Sequence, residues 1–148
     1  MNRLQNKVAI VTGANSGIGL RTAQLFAEEG AILVLCARRK EKLDEVAEAL
    51  RAQGSQVLSI AADVSREEDC VRVVEEAVKA FGRVDVLVNN AGMADKHRPI
   101  TRCDGDWWHT VIDVNQNSVY YMMKAALKYM ELAGYGSIVN IASLGATR

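Results

Sequence analysis

Val8-Ala9-Ile10-Val11-Thr12-Gly13-Ala14-Asn15-Ser16-Gly17-Ile18-Gly19 is an apolar run that passes through three glycines into the start of a helical pattern. A strand, a tight turn and a helix N-terminus in that order aim backbone N–H groups and the positive end of a helix dipole at one point, which suits a pyrophosphate. Gly13 can take the φ > 0 of the turn, Gly17 leaves room for close ligand approach, and Gly19 lets the helix pack near the sheet. The spacing is G-x-x-x-G-x-G rather than G-x-G-x-x-G, and a strand-to-helix turn without a ligand is the competing reading.

Outward from this turn the patterns alternate strand and helix along the whole chain, which predicts one α/β domain over residues 1–148 with a doubly wound parallel sheet and helices on both faces. The expected strands are Lys7–Val11, Ile32–Ala37, Val57–Ala61, Val84–Asn89 and Ser137–Ala142, all continuous apolar runs of the kind buried on both sides. Leu43, Val46, Ala47 and Leu50 define one helical stripe, stopped at Gly54. Cys70, Val73, Val74, Ala77, Val78 and Phe81 define another, stopped at Gly82 and started by a Ser65/Glu68 capping box. The longest helix is expected over about Asp106–Ala133, interrupted near Asn115 and stopped at Gly134, with Trp107 and Trp108 as packing aromatics near its start.

Composition narrows the function. Of 148 residues 49% are hydrophobic, enough for a core, and 18 basic side chains balance 18 acidic ones, so bulk charge favours neither nucleic acid nor an anionic membrane. The sequence has neither a signal-peptide pattern nor an apolar run of membrane-spanning length, which predicts a soluble, cytoplasmic protein. Cys36, Cys70 and Cys103 lack C-x-x-C spacing and read as reduced structural thiols, with no metal site expected.

Further motifs follow at the ends of the expected strands: Asp63-Val64 after the third, Asn89-Asn90-Ala91-Gly92 after the fourth, Asn115 in the long helix, and Gly136-Ser137-Ile138-Val139-Asn140-Ile141-Ala142-Ser143 through the fifth. Together with the glycine turn, these motifs make the chain resemble the short-chain dehydrogenase/reductase family over its whole length. The resemblance implies a Rossmann-type fold and a nicotinamide cofactor held by Gly13, Asn15, Ser16, Gly17, Ile18, Gly19, Asp63, Val64, Asn90, Ala91 and Gly92. It gives Asp63 the adenine amino group and the Val64 backbone the ring edge, against the alternative that Asp63 simply starts a helix. Asn89 has a structural alternative, an amide that ties neighbouring strands.

The end of the second strand decides the cofactor. An acidic side chain there accepts from the ribose 2′-hydroxyl of NAD, whereas a cation suits the 2′-phosphate of NADP. Ala37 stands in the acidic place, and Arg38 with Arg39 predicts NADP(H); a solvated helix entrance is the alternative for these arginines.

The catalytic residues carried over by resemblance are Ser143, which hydrogen-bonds the substrate oxygen, and Asn115, which holds a water in the proton relay. The family's Tyr-x-x-x-Lys is expected roughly a dozen residues beyond that serine. Tyr120-Tyr121-Met122-Met123-Lys124 satisfies the pattern literally, but it precedes Ser143 and occupies a stretch where the family has packing residues. The expectation is therefore the N-terminal portion of a longer NADP(H)-dependent reductase, lacking the last strands and the lid and acting on a small carbonyl or alcohol substrate. The alternative is a truncated, non-catalytic NADP(H)-binding or interaction module. A homo-oligomer follows from the resemblance, with Tyr120 to Met123 as candidate interface or core residues. Lys96, His97 and Arg98 read either as a wall of the substrate site or as a solvated loop.

Overall fold

The computed structural model describes residues 2–94 and 99–143. Five parallel strands, β1 Val8–Thr12, β2 Ile32–Ala37, β3 Val57–Ala61, β4 Val86–Asn89 and β5 Ser137–Asn140, form one sheet in the order β3-β2-β1-β4-β5. Each strand matches an expected run to within two residues at either end, because an unbroken run of β-branched and aliphatic residues bounded by polar or glycine residues has little choice of register. Ile10, Leu33, Leu35 and Leu87 are fully withdrawn from water. Each contributes about 1.5–3 kcal/mol of transfer free energy.

Two cores lie on opposite faces of the sheet. On one, helices α1 (Gly17–Glu28) and α2 (Lys40–Ala52) bury Ala23, Leu43, Ala47 and Leu50 against Ala9, Val11, Leu33 and Leu35. On the other, α3 (Glu67–Phe81) and α5 (Ser118–Ala133) bury Cys70, Val73, Val74, Ala77, Met122, Ala126 and Met130 against Val8, Ile10, Val34 and Leu87. Successive strand residues point to opposite faces, which explains why neighbours such as Ile10 and Val11 belong to different cores.

The long helix is three pieces. α4 (Gly105–Ile112) is capped by Asp104, whose Oδ1 accepts from Trp107 N–H at 2.7 Å. A π-helical turn, Asp113–Asn117, then carries Asn115, and α5 ends at Gly134 in the left-handed conformation. The interruption and the stop fall where the sequence suggested.

Two expectations fail. Ser65 and Glu68 form no capping box: the Ser65 hydroxyl donates to Asp63 Oδ1 at 2.7 Å and Glu68 pairs with Arg66, so neither is left to cap α3. Trp108 is half exposed and α4 buries no residue, so the tryptophan pair does not pack into the core as a unit. β5 is the outer strand of the sheet, and its Val139, with Ile141 just beyond, stays about two-fifths exposed, as expected of an uncovered edge. Among the described residues no helix is long and apolar enough to cross a membrane, and no cluster of His, Cys, Asp or Glu could hold a metal ion.

Candidate functional site

The strand order reverses between β1 and β4, and loops leaving neighbouring strands diverge there to open a crevice at the C-terminal edge of the sheet. A cleft of about 490 Å³ fills it. Its walls are Gly13, Asn15 and Ser16 after β1; Ala37, Arg38 and Arg39 at the end of β2; Ala62, Asp63 and Val64 after β3; Asn90, Ala91 and Gly92 after β4; and Val114.

One buried hydroxyl organises the β1 and β4 ends. Thr12 Oγ1 accepts from the N–H groups of both Asn90 and Ala91 at 2.9 Å, while the Asn90 amide donates back to Thr12 O at 2.9 Å and to Gly13 O at 3.3 Å. The glycine turn is thereby laced to the Asn90-Ala91-Gly92 segment. Gly13 adopts φ +65°, and a Cβ there would stand 3.0 Å from Ala91 Cα. A Cβ on Gly19 would lie 2.4 Å from both Gly13 O and Asn90 Nδ2, so this glycine allows α1 to sit against the turn. Gly17 differs: at φ +55° it has nothing within 4 Å of its missing Cβ, so the space above it is open.

The helix start is built as a donor cradle. Ser16 is the N-cap of α1 but its side chain makes no cap, and among the described residues the backbone N–H groups of Asn15 through Gly19 have no hydrogen-bond partner. Five consecutive open amides at the positive end of a helix dipole fit a dinucleotide's pyrophosphate. Gly17, Ile18 and Gly19 do not line the cleft with side chains, so their contribution is limited to these amides and to the room they leave.

At the β2 end the Arg38 and Arg39 guanidiniums are exposed and make no hydrogen bond or ion pair among the described residues. At the β3 end Asp63 Oδ1 is taken by Ser65, from the backbone N–H at 3.0 Å and from the hydroxyl, so Asp63 shapes the turn ahead of α3 but does not cap that helix, whose N-cap is Arg66. Its Oδ2 accepts nothing among the described residues, and the neighbouring Val64 N–H donates to nothing. An open acceptor beside an open donor is the complement of the adenine amino group and ring nitrogen.

The candidate catalytic residues lie beyond adjacent strand ends. Asn115 spends both ends of its amide on Met93: Oδ1 accepts from Met93 N–H at 2.8 Å and Nδ2 donates to Met93 O at 2.9 Å. That clamp holds the chain leaving β4 against the π-helical turn. Ser143 is exposed and follows β5 by three residues, with β5 fixed in register by Asn89 Nδ2 donating to Asn140 Oδ1 at 2.9 Å, the tie foreseen for Asn89. Tyr120 and Lys124 are elsewhere: neither lines the cleft, and Lys124 pairs with Glu67 of α3 at 2.8 Å. Lys96, His97 and Arg98 lie outside the described residues.

Burial pushes the Cys36 and Cys70 thiols up to about 12, and Cys70 donates weakly to Val64 O at 3.3 Å, in keeping with inert structural thiols. Sequence reasoning missed Ala62 and Val114 as walls and the Thr12 hydroxyl as the hub; only Thr12, at the strand-to-turn junction, carried a signal that could have found it.

A family model described as short chain dehydrogenase matches residues 7–148. The chain belongs to that family. Among curated proteins it is 42% identical over 138 residues to the cis-4-hydroxycyclohexanecarboxylate dehydrogenase of Sinomonas cyclohexanicum, covering 93% of this chain and 55% of the relative. It is 39% identical over 148 residues to the 7alpha-hydroxysteroid dehydrogenase of Clostridium sardiniense, covering 99% of this chain and 56% of that one. The chain thus spans about half the length of these relatives. Two solved structures superpose closely. One is a metagenomic short-chain oxidoreductase in complex with NADP, at 36% identity and TM-score 0.93 over 98% of this chain and 66% of the other. The second is an NAD+-bound xylitol dehydrogenase, at 34% identity and TM-score 0.94 over 99% of this chain and 56% of the other.

Proposed function

We propose that residues 1–148 are the NADP(H)-binding part of an oxidoreductase that transfers hydride between nicotinamide and a small carbonyl or alcohol substrate. The observation that carries the cofactor choice is the pair of guanidiniums, Arg38 and Arg39, which have no partner among the described residues, beside Ala37 at the end of β2. A carboxylate at that point would repel a 2′-phosphate; a guanidinium binds it in a fork. The similar structures include both an NADP and an NAD+ complex, so the β2 end has to be argued from its own side chains.

Bound in the cleft, the nicotinamide ring would supply or accept the hydride. The open amides of Asn15 to Gly19 hold the pyrophosphate, Asp63 Oδ2 and Val64 N–H hold the adenine edge, and Asn90, Ala91 and Gly92 line the way toward the reacting end. Ser143 donates its hydroxyl hydrogen bond to the substrate oxygen as negative charge develops there. Because the Asn115 amide is spent on Met93, the water-holding role falls to the widened turn around it. None of the four tyrosines lines the cleft, so this reading leaves the proton donor to chain outside these 148 residues. The two dehydrogenases named above, one for a hydroxycyclohexanecarboxylate and one for a hydroxysteroid, support an alcohol substrate. Self-association through the exposed Tyr120 of α5 belongs to the same proposal, and sedimentation equilibrium of the native protein against Tyr120→Glu tests it.

Titration of the native protein and of Arg38→Ala with NADPH and NADH tests the cofactor choice. The native protein is expected to prefer NADPH and the variant to lose most of that preference. Equal affinity of the native protein for both would overturn it.

A further inference from the structure

Two contacts tie the β3 wall of the cleft to the first two turns of α3, and a third, within α3, joins them. Asp69 Oδ2 accepts from Asp63 N–H at 2.8 Å, and Asp69 Oδ1 accepts from Arg72 Nη2 at 2.9 Å. The same Arg72 nitrogen donates to Ala61 O at 2.8 Å, the last residue of β3. Arg72 thus grips the chain just before the wall, Asp69 grips it at Asp63, and the Asp69–Arg72 pair locks the two grips together. Neither side chain lines the cleft.

We propose that Asp69 and Arg72 are positioning residues that set the base selectivity of the cleft, by holding the main chain from which the Val64 N–H and the Asp63 carboxylate, itself turned by Ser65, present a fixed donor–acceptor pair. This deepens the NADP(H) reading and rests on it. Adenine offers a donating amino group beside an accepting ring nitrogen; hypoxanthine reverses both, with a carbonyl oxygen beside a ring N–H. A rigid acceptor–donor pair therefore rejects hypoxanthine, because two like groups face each other in the cleft, whereas a loosened wall turns aside and rejects it less. The grips are charge-assisted and pull on the main chain, so their loss moves the wall rather than a side chain alone.

Dissociation constants for NADPH and its hypoxanthine analogue, deamino-NADPH, measured by fluorescence titration of the native protein, Asp69→Asn, Arg72→Lys and Glu76→Gln, test the proposal. Glu76 accepts from the other arm of Arg72 at 3.2 Å and does not touch the wall, so Glu76→Gln is the control. The native protein is expected to discriminate by about tenfold or more, from two reversed hydrogen bonds. Asp69→Asn, which leaves one acceptor where two are used, should cut that ratio by about threefold or more, Arg72→Lys by less, and Glu76→Gln not at all. Thermal unfolding of each variant checks that it folds; because Arg72 is partly exposed, Arg72→Lys keeps the test open if Asp69→Asn does not. A native protein that binds neither ligand overturns the NADP(H) reading and this inference with it. Binding without base discrimination, an unchanged ratio in folded Asp69→Asn and Arg72→Lys, or an equal loss in Glu76→Gln overturns this inference while leaving the cofactor site in place.

Discussion

Gly19→Ala separates two accounts of the glycine turn by the sign of its effect. Gly19 lies in the first turn of α1 and is buried, and its backbone φ is not in the left-handed region. Helix propensity alone then predicts that alanine stabilises the protein by up to about 1 kcal/mol. The structure predicts the opposite. The added Cβ would meet Gly13 O and Asn90 Nδ2 at 2.4 Å and Gly13 C at 2.9 Å, and two of these three atoms are backbone within the turn. Overpacking of this kind costs about 1–3 kcal/mol as the neighbours give way. The net effect should be a destabilisation of about 1–2 kcal/mol, or a fall in Tm of roughly 3–6 °C for a chain of this size. Urea unfolding of the native protein and the variant, with the m-value compared as a check on two-state behaviour, reads this directly. Displacement of Asn90 should also weaken NADPH binding. A variant with raised stability and native NADPH affinity would refute the close packing of α1 on the turn.

Further outcomes follow from the same contacts. Thr12→Val leaves the Asn90 and Ala91 amides without their acceptor and should cost about 2–4 kcal/mol, whereas Thr12→Ser should cost about 1 kcal/mol; equal losses in urea unfolding would remove Thr12 as the hub. Asp85, 2% exposed, accepts from Val8 N–H at 2.9 Å and pairs with Arg83, so Asp85→Ala should lose about 3 kcal/mol and Asp85→Asn less, with a loss under about 1 kcal/mol for alanine counting against a role at the base of β1. The carboxyl of Asp69 is held below its usual range by Arg72 and the Asp63 N–H, that of Asp44 by Lys40 and Ser59, and that of Glu29 by Arg3. Carboxylates lowered on folding stabilise above their unfolded values and lose that contribution as pH falls through the folded ones, so the urea midpoint should hold from pH 7 to about 5.5 and drop below about pH 4. The raised thiols act at the other end: Cys36 and Cys70 ionise first in the unfolded chain, so stability should fall as pH rises above about 9, less steeply in Cys70→Ser.

The strands and their alternation with helices were legible because periodicity reports which faces are buried, and burial on both faces leaves the continuous runs seen from Val8 to Val11 and from Leu33 to Ala37. The stop at Gly134 was legible for a local reason as well, and the interruption near Asn115 through the resemblance, though its π-helical form was not. Hydrogen-bond partners were not. Ser65 satisfies a capping-box spacing with Glu68, yet Asp63 and Arg66 stand closer to these two side chains and take them. The twin demands on Thr12, and the reach of Arg72 back to Ala61, join residues 78 and 11 positions apart in sequence, and no period in one dimension encodes either. Within the site, Gly13 and the Arg38/Arg39 pair could be placed at the cleft wall from their residue types at strand ends, whereas Val114 enters the wall through packing alone.

Amide hydrogen exchange read by NMR tests residue by residue whether the start of α1 is a phosphate cradle for NADP(H). The backbone amides of Asn15 to Gly19 and of Val64 have no partner among the described residues, so in the free protein they should exchange fast. Saturating NADPH should slow several of the Asn15 to Gly19 amides and Val64 together, while amides at the opposite edge of the sheet, around Asp85, keep their free-state rates. NADPH that leaves the Asn15 to Gly19 amides exchanging as fast as before would rule out the cradle.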